Sequence, residues 1–141
     1  MAISKFNSEG YKDLTSYEAL SKVAKEDLVS SYMPLVYICS PYAGRVENNV
    51  LMAKQYSRFA LAKKCIPVTP HLLYPQFMDD NNPVERNLAR HINYVLLGKC
   101  EELWVFGSIV SLGMEHEISV AKKRNMKIKH FSEELQEVAR L

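Results

Sequence analysis

The chain has 141 residues, 48% of them apolar and 24% charged, with a formal net charge of +2. This is the composition of one globular domain long enough to bury a core, and its near-balanced charge, with no basic stripe interleaved with aromatics, argues against a nucleic-acid surface. No apolar run is long enough to span a bilayer and no signal-peptide pattern opens the chain, so the expected compartment is the cytoplasm, with no membrane contact.

Cys39, Cys65 and Cys100 are odd in number and widely spaced, which fits reduced, buried thiols better than a disulfide framework or a zinc site. The four histidines are scattered, and Glu115-His116-Glu117 lacks the i, i+4 histidine pair of a zinc helix. Neither a metal nor a cofactor is expected.

Residues 1 to about 14 read as a polar surface arm. Thr15-x-x-Glu18 is a capping box, followed by the helical stripe Leu20, Val23, Ala24 and Leu28. The expected division is therefore an N-terminal arm and helix over 1–34 and an α/β domain over 35–141. The first helix covers one side of the domain or packs against another subunit.

Leu35 to Cys39 is a continuous apolar run, as in a buried parallel strand, and Ser40-Pro41 ends it because the residue before proline stays extended. The loop Ser40 to Arg45 leads into a helix predicted over about Val46 to Lys64, with Val46, Val50, Ala53 and Ala60 inward. A short strand around Ile66 to Thr69 holds Pro67, which confines it to a sheet edge. An aromatic and proline-rich loop runs from His71 to Asp80. Asn82, Pro83 and Glu85 then supply an N-cap, an N1 proline and an N3 glutamate for a helix reaching about Lys99.

Leu103 to Phe106 is the second strongly apolar strand. A turn at Gly107 to Ser111 follows, then a helix on which Met114, Ile118, Ala121 and the stem of Asn125 share one face. At 100° per residue Glu117 falls on the rim of that stripe, with Glu115 to the side and His116 toward solvent. Burial raises the pKa of such a carboxylate and a nearby helix N-terminus lowers it, conditions suited to a nucleophile near neutral pH. The structural alternative is a glutamate that caps or salt-bridges at a helix edge. Lys127 to Phe131 alternates lysine with Ile128 and His130, as at the opposite edge of a sheet, and Ser132 begins a short terminal helix with Glu133 and Glu134 in its first turn.

Strands alternating with helices mean a parallel sheet with right-handed crossovers. Placing the two apolar strands centrally and the proline and lysine strands outside gives the order 2-1-3-4. This is a flavodoxin/Rossmann-like three-layer fold with an extra N-terminal helix. Ligands of such sheets lie at the carboxyl ends of the strands where the winding reverses, here between the Ser40–Arg45 loop and the Gly107–Glu117 turn. Ser108, Ser111, Gly107, Gly113 and the helix start make an anion pocket, to which Arg45 adds a charge-assisted contact; the structural reading of the serines is as plain caps. There is no GxxxxGK[ST] and no GxGxxG, so neither a kinase-type P-loop nor a dinucleotide fingerprint is present. Tyr37 ends a buried strand beside the pocket, where its hydroxyl needs a partner. His71, Tyr74, Phe77, Asp79 and Asp80 either cover the pocket and stack on a base, or form a packed connection.

Tyr37-Ile-Cys-Ser-Pro-Tyr and Ser111-Leu-Gly-Met-Glu-His-Glu117-Ile-Ser-Val-Ala121 resemble the nucleoside 2-deoxyribosyltransferase family, especially its 2′-deoxynucleoside 5′-phosphate N-hydrolase branch. There the pattern is Ser-x-Gly-x-x-x-Glu-x-x-x-Ala, and the whole chain is similar to small bacterial and mobile-element relatives, over about residues 35–131. The resemblance implies that Glu117 attacks C1′ of a deoxyribose and expels the base. A covalent sugar–enzyme intermediate then passes to water or to another base. It further implies that Tyr37 orients Glu117, and that Ser40, Tyr42, Gly44 and Arg45 of the first loop, with Ser111 and Gly113, hold a 5′-phosphate. The family's assisting aspartate falls at Asn93, counted back from Glu117, with Asp79, Asp80 or Glu85 as substitutes. Family members complete the pocket from a neighbouring subunit, so a homo-oligomer is expected.

Three functions follow: an enzyme cleaving or transferring the N-glycosidic bond of deoxynucleosides or their monophosphates; a non-catalytic protein holding a nucleotide or an ADP-ribose-like signal; and an oligomeric structural or interaction protein with a vestigial pocket.

Overall fold

The computed structural model describes residues 32–139. The arm and first helix expected from residues 1–31 lie outside them. Within the described residues a five-stranded sheet has the order β2-β1-β3-β4-β5. Its strands are β1 (Leu35–Cys39), β2 (Ile66–Val68), β3 (Glu102–Phe106), β4 (Lys127–Phe131) and β5 (Glu137–Val138). The first four pair in parallel, Tyr37 opposite Val68 on one side and opposite Leu103 on the other. The order 2-1-3-4 expected from the apolar, proline and lysine strands is therefore present, with a fifth strand added.

Val36, Tyr37, Ile38 and Cys39 are all buried because successive side chains of a central strand enter two different cores. Val36 and Ile38 join Tyr56, Ala60, Trp104, Phe106 and Phe131 beneath α1 (Val46–Ala62). Tyr56 stacks on Phe106 with centroids 4.3 Å apart, and Phe106 on Phe131 at 5.0 Å. Tyr37 and Cys39 face the other way, toward Leu97 of α2 (Pro83–Lys99) and Met114, Ile118 and Ala121 of α3 (Leu112–Lys123).

Pro67 lies in β2, whose far side has no partner strand among the described residues, so its missing N–H costs no ladder bond there. At the entry to α2, Asn82 accepts from the N–H groups of Val84 and Glu85, as the cap pattern requires.

Four sequence expectations need correction. Residues after Ser132 form no helix: Leu135 takes a left-handed φ of 68°, Ser132 N–H donates to the Gln136 carbonyl, and β5 pairs antiparallel with His130 and Phe131. Leu135 packs on the aromatic core, and the turn that brings it there is incompatible with a helix. Consequently β4 is not the sheet edge. Its Lys129 lies 5.5 Å from the Trp104 ring centroid and 3.7 Å from a Glu102 oxygen. Val46 is exposed, at the very start of α1, and Tyr56 takes the inward position. Asn125 is not a core-face residue but the left-handed residue past α3 (φ 56°), with Asn125 N–H bonded to the Lys122 carbonyl and Met126 N–H to that of Ala121, a Schellman closure.

Candidate functional site

The carboxyl ends of β1 and β3 open into a cleft of about 390 Å³. Its floor begins with Tyr37. Odd-numbered residues of β1 face α2 and α3, so the phenol points beneath the first turns of α3. That helix starts where Ser111 Oγ accepts the Met114 N–H at 3.3 Å. Six residues beyond the cap, Glu117 points back over the sheet and its carboxylate accepts a hydrogen bond from the Tyr37 hydroxyl. Cys39 Sγ lies 4.0 Å from Glu117 Oε1 and from the Met114 carbonyl.

Burial pushes the Glu117 carboxyl up to about 7, and the Tyr37 hydrogen bond partly opposes this rise. Burial, together with the Glu117 charge, drives Tyr37 far above its ordinary pKa, so the phenol stays protonated and remains a donor. The same two causes raise the Cys39 thiol. The site therefore holds a carboxylate near half-ionisation at neutral pH and a permanently protonated partner.

Opposite, Ser40 is buried and its Oγ lies 3.0 Å from His71 Nε2. Burial lowers the His71 pKa to about 4, leaving the ring neutral at pH 7. Tyr42 meets His71 edge-on at 6.3 Å. The expected loop after β2 is two short 3₁₀ turns, Pro70–Leu72 and Tyr74–Gln76. Tyr74, Pro75 and Met78 of this segment line the cleft. Phe77 does not; it is 62% exposed and leans on Tyr74 at 5.6 Å.

The cleft brings together Tyr37, Ser40, Tyr42, His71, Asp79, Asp80, Glu85, Asn93, Ser111, Gly113 and Glu117. His116, assigned to solvent from the helical wheel, is exposed yet stands on the cleft wall. Gly44, Arg45 and Ser108 do not line it. Asn49 Nδ2 donates to the carbonyls of Tyr42 and Ala43, and these two residues, with Ser40, are what the first loop presents to the cleft. Gly44 turns the chain away with φ 92°, so Arg45 becomes the exposed residue before α1. Ser108 is engaged elsewhere, its N–H and hydroxyl both donating to Glu133 Oε1 at 2.8 and 2.9 Å. These bonds lower the Glu133 pKa. The half of the expected anion pocket at Gly107–Ser108 is thus filled by the chain's own carboxylate.

Of the α2 wall, sequence reasoning named only Glu85 and Asn93. Arg86, Ala89, Arg90, Asn93 and Tyr94 all line the cleft, a spacing of i, i+3, i+4, i+7 and i+8 that defines one helical face. Counting forward from the Asn82 cap finds that face. Asp79 and Glu85, proposed substitutes for the aspartate position at Asn93, have carboxylates bound to the backbone N–H groups of Asn81 (2.9 Å) and Asp79 (3.4 Å).

The fold is that of the 2-deoxyribosyltransferases. The chain superimposes on the 2-deoxyribosyltransferase of the psychrotolerant bacterium Bacillus psychrosaccharolyticus with a TM-score of 0.60 and 10% identity, covering 75% of this chain and 77% of that one. On the 2-deoxyribosyltransferase of Leishmania mexicana the TM-score is 0.53 and the identity 17%, over 70% of this chain and 64% of that one. At such identities the likeness is one of architecture. No curated protein sequence matches the chain. The model of the domain of unknown function DUF7768 matches residues 34–131, and the chain belongs to that family.

Proposed function

We propose that this protein cleaves the N-glycosidic bond of deoxynucleosides or deoxynucleoside 5′-monophosphates, or transfers the deoxyribosyl group to another base, with Glu117 as nucleophile. The observation that carries the reading is the pairing of a half-buried glutamate, pushed up to about 7, with the Tyr37 hydroxyl in a cleft at the switch point of the sheet. The similarity in fold to two 2-deoxyribosyltransferases supports it.

In the first step an ionised Glu117 oxygen attacks C1′. The C1′–N bond breaks with its electron pair leaving on the base, which takes a proton from solvent or from a group in the cleft. In the second, water or an acceptor base attacks C1′, the electron pair of the sugar ester returns to Glu117, and the attacking group gives up its proton. Tyr37 holds the carboxylate in place by donating to one oxygen. Ser40, Tyr42, Ser111 and Gly113 contact the sugar and its 5′ substituent, and the neutral His71, braced by Ser40, lies beside them. Tyr74 and Met78 offer faces on which a base stacks. The protein acts in the cytoplasm as a homo-oligomer, with residues 1–34 appended to the α/β domain.

A second reading, retention of a nucleotide without turnover, is favoured by one observation. Asn93 offers an amide where the family resemblance places an acid, and two neighbouring carboxylates are committed to backbone N–H groups. Base release from a panel of deoxynucleosides and their monophosphates, by the native protein and by Glu117→Ala, separates the two: release that depends on Glu117 establishes the enzyme, and ligand-induced stabilisation without release establishes the binder.

A further inference from the structure

We propose that Arg86 and Arg90 form an anion subsite on the α2 wall that takes the phosphoryl group of a nucleotide lying in the Glu117 cleft. The inference rests on the reading of that cleft as a nucleotide site. It relocates the positive charge of the site from the loop after β1, where the sequence suggested Arg45, to a helix on the other side of the cleft.

Arg86 and Arg90 both line the cleft, and a separation of four residues puts their side chains on one helical face with Cβ atoms about 5–6 Å apart. Like charges at that spacing oppose helix formation unless something neutralises them. Nothing in the described chain does so. Neither guanidinium forms an ion pair with a carboxylate of the described residues. Arg86 Nε donates to the Asp80 carbonyl at 3.0 Å, which anchors its base and leaves both terminal nitrogens for a ligand. The Arg90 side chain makes no hydrogen bond within the described residues.

Besides Glu117, three acidic residues line the cleft, Asp79, Asp80 and Glu85. The carboxylates of Asp79 and Glu85 are turned into the α2 entry loop, where they accept backbone N–H groups. Two unpaired guanidinium forks on one wall match a tetrahedral oxyanion, which accepts several N–H bonds at once, better than they match a neutral sugar or base. Arg45 stands outside the cleft, so these two side chains carry its cationic charge.

The test is equilibrium binding by calorimetry with the full chain, in a Glu117→Gln background that prevents turnover. The probes are a deoxynucleoside, its 5′-monophosphate and inorganic phosphate. The monophosphate is expected to bind at least tenfold tighter than the nucleoside. Arg86→Gln with Arg90→Gln should weaken the monophosphate about 10- to 100-fold while moving the nucleoside less than twofold. Both positions are exposed, and melting curves check that the variants fold. Inorganic phosphate that competes with the monophosphate and weakens by the same factor supports the phosphoryl subsite. Three results overturn the proposal: no preference for the monophosphate, a preference that survives the double substitution, or inorganic phosphate that binds without competing with the monophosphate. Base release by the native protein is scored separately, so its absence would remove the catalytic reading and leave the binding preference to decide this one.

Discussion

The Tyr37 hydroxyl donates to the Glu117 carboxylate across the interface of β1 and α3, and the two groups shift each other's protonation in opposite directions. The carboxylate favours a protonated phenol, and the phenol favours an ionised carboxylate.

Tyr37→Phe removes that donor without changing the shape of the core. The Glu117 pKa should then rise above about 7, because burial acts unopposed. Base release should fall about 10- to 100-fold at neutral pH, the worth of a hydrogen bond to a charged group, and its acidic limb should move to higher pH. A pH–rate profile reads both effects. An unchanged limb would show that Tyr37 does not tune Glu117.

Glu117 and His71 make opposite contributions to stability as pH changes. Glu117 is raised from 4.5 to about 7, so across that window the unfolded chain has lost a proton that the native state keeps, and stability falls as pH rises. His71 is lowered from 6.5 to about 4, so across that window the unfolded chain binds a proton that the native state lacks, and stability falls as pH drops. Between about 4.5 and 6.5 the two offset. Glu117→Gln should unmask an acid-side loss of roughly 1–3 kcal/mol and raise stability above pH 7, while His71→Asn should leave the opposite slope. Urea denaturation at pH 4, 5.5 and 7.5 measures this; parallel curves for the three proteins would contradict it.

The turn between β3 and α3 has its own sensitivities. Gly107 sits at φ 94°, and a Cβ there would come 3.4 Å from Glu133 Oε1. Gly107→Ala should cost about 1–2 kcal/mol from the left-handed backbone alone. Ser111→Ala, which removes the helix cap, should cost about 0.5–2 kcal/mol. Denaturation midpoints check both. A neutral Gly107→Ala would mean that the turn relaxes to a negative φ.

Much of the fold and the centre of the site were legible because local chemistry and tertiary structure agree there. Continuous apolar runs marked β1 and β3 as central, Pro67 marked an edge, and helical geometry set Glu117 on the rim of the stripe formed by Met114, Ile118 and Ala121. Other features depend on partners distant in sequence. Leu135 becomes an anchor for β5 only because an aromatic core waits beneath it. Ser108 is occupied by a glutamate 25 residues away. Lys64 and Asn125 close helices in left-handed conformations without glycine, so no residue type announced those ends. Arg86 and Arg90 look like a solvated helix face until the 3₁₀ turns and α3 complete the cleft.

The most direct test of the account is base release, followed by chromatography, from deoxynucleosides and their 5′-monophosphates incubated with the native protein and with Glu117→Ala, with and without an acceptor base. The account predicts free base with the native protein, none above background with the variant, and a new nucleoside wherever the acceptor is used. Release that persists undiminished in Glu117→Ala, or no release from any substrate by a folded native protein, would contradict it.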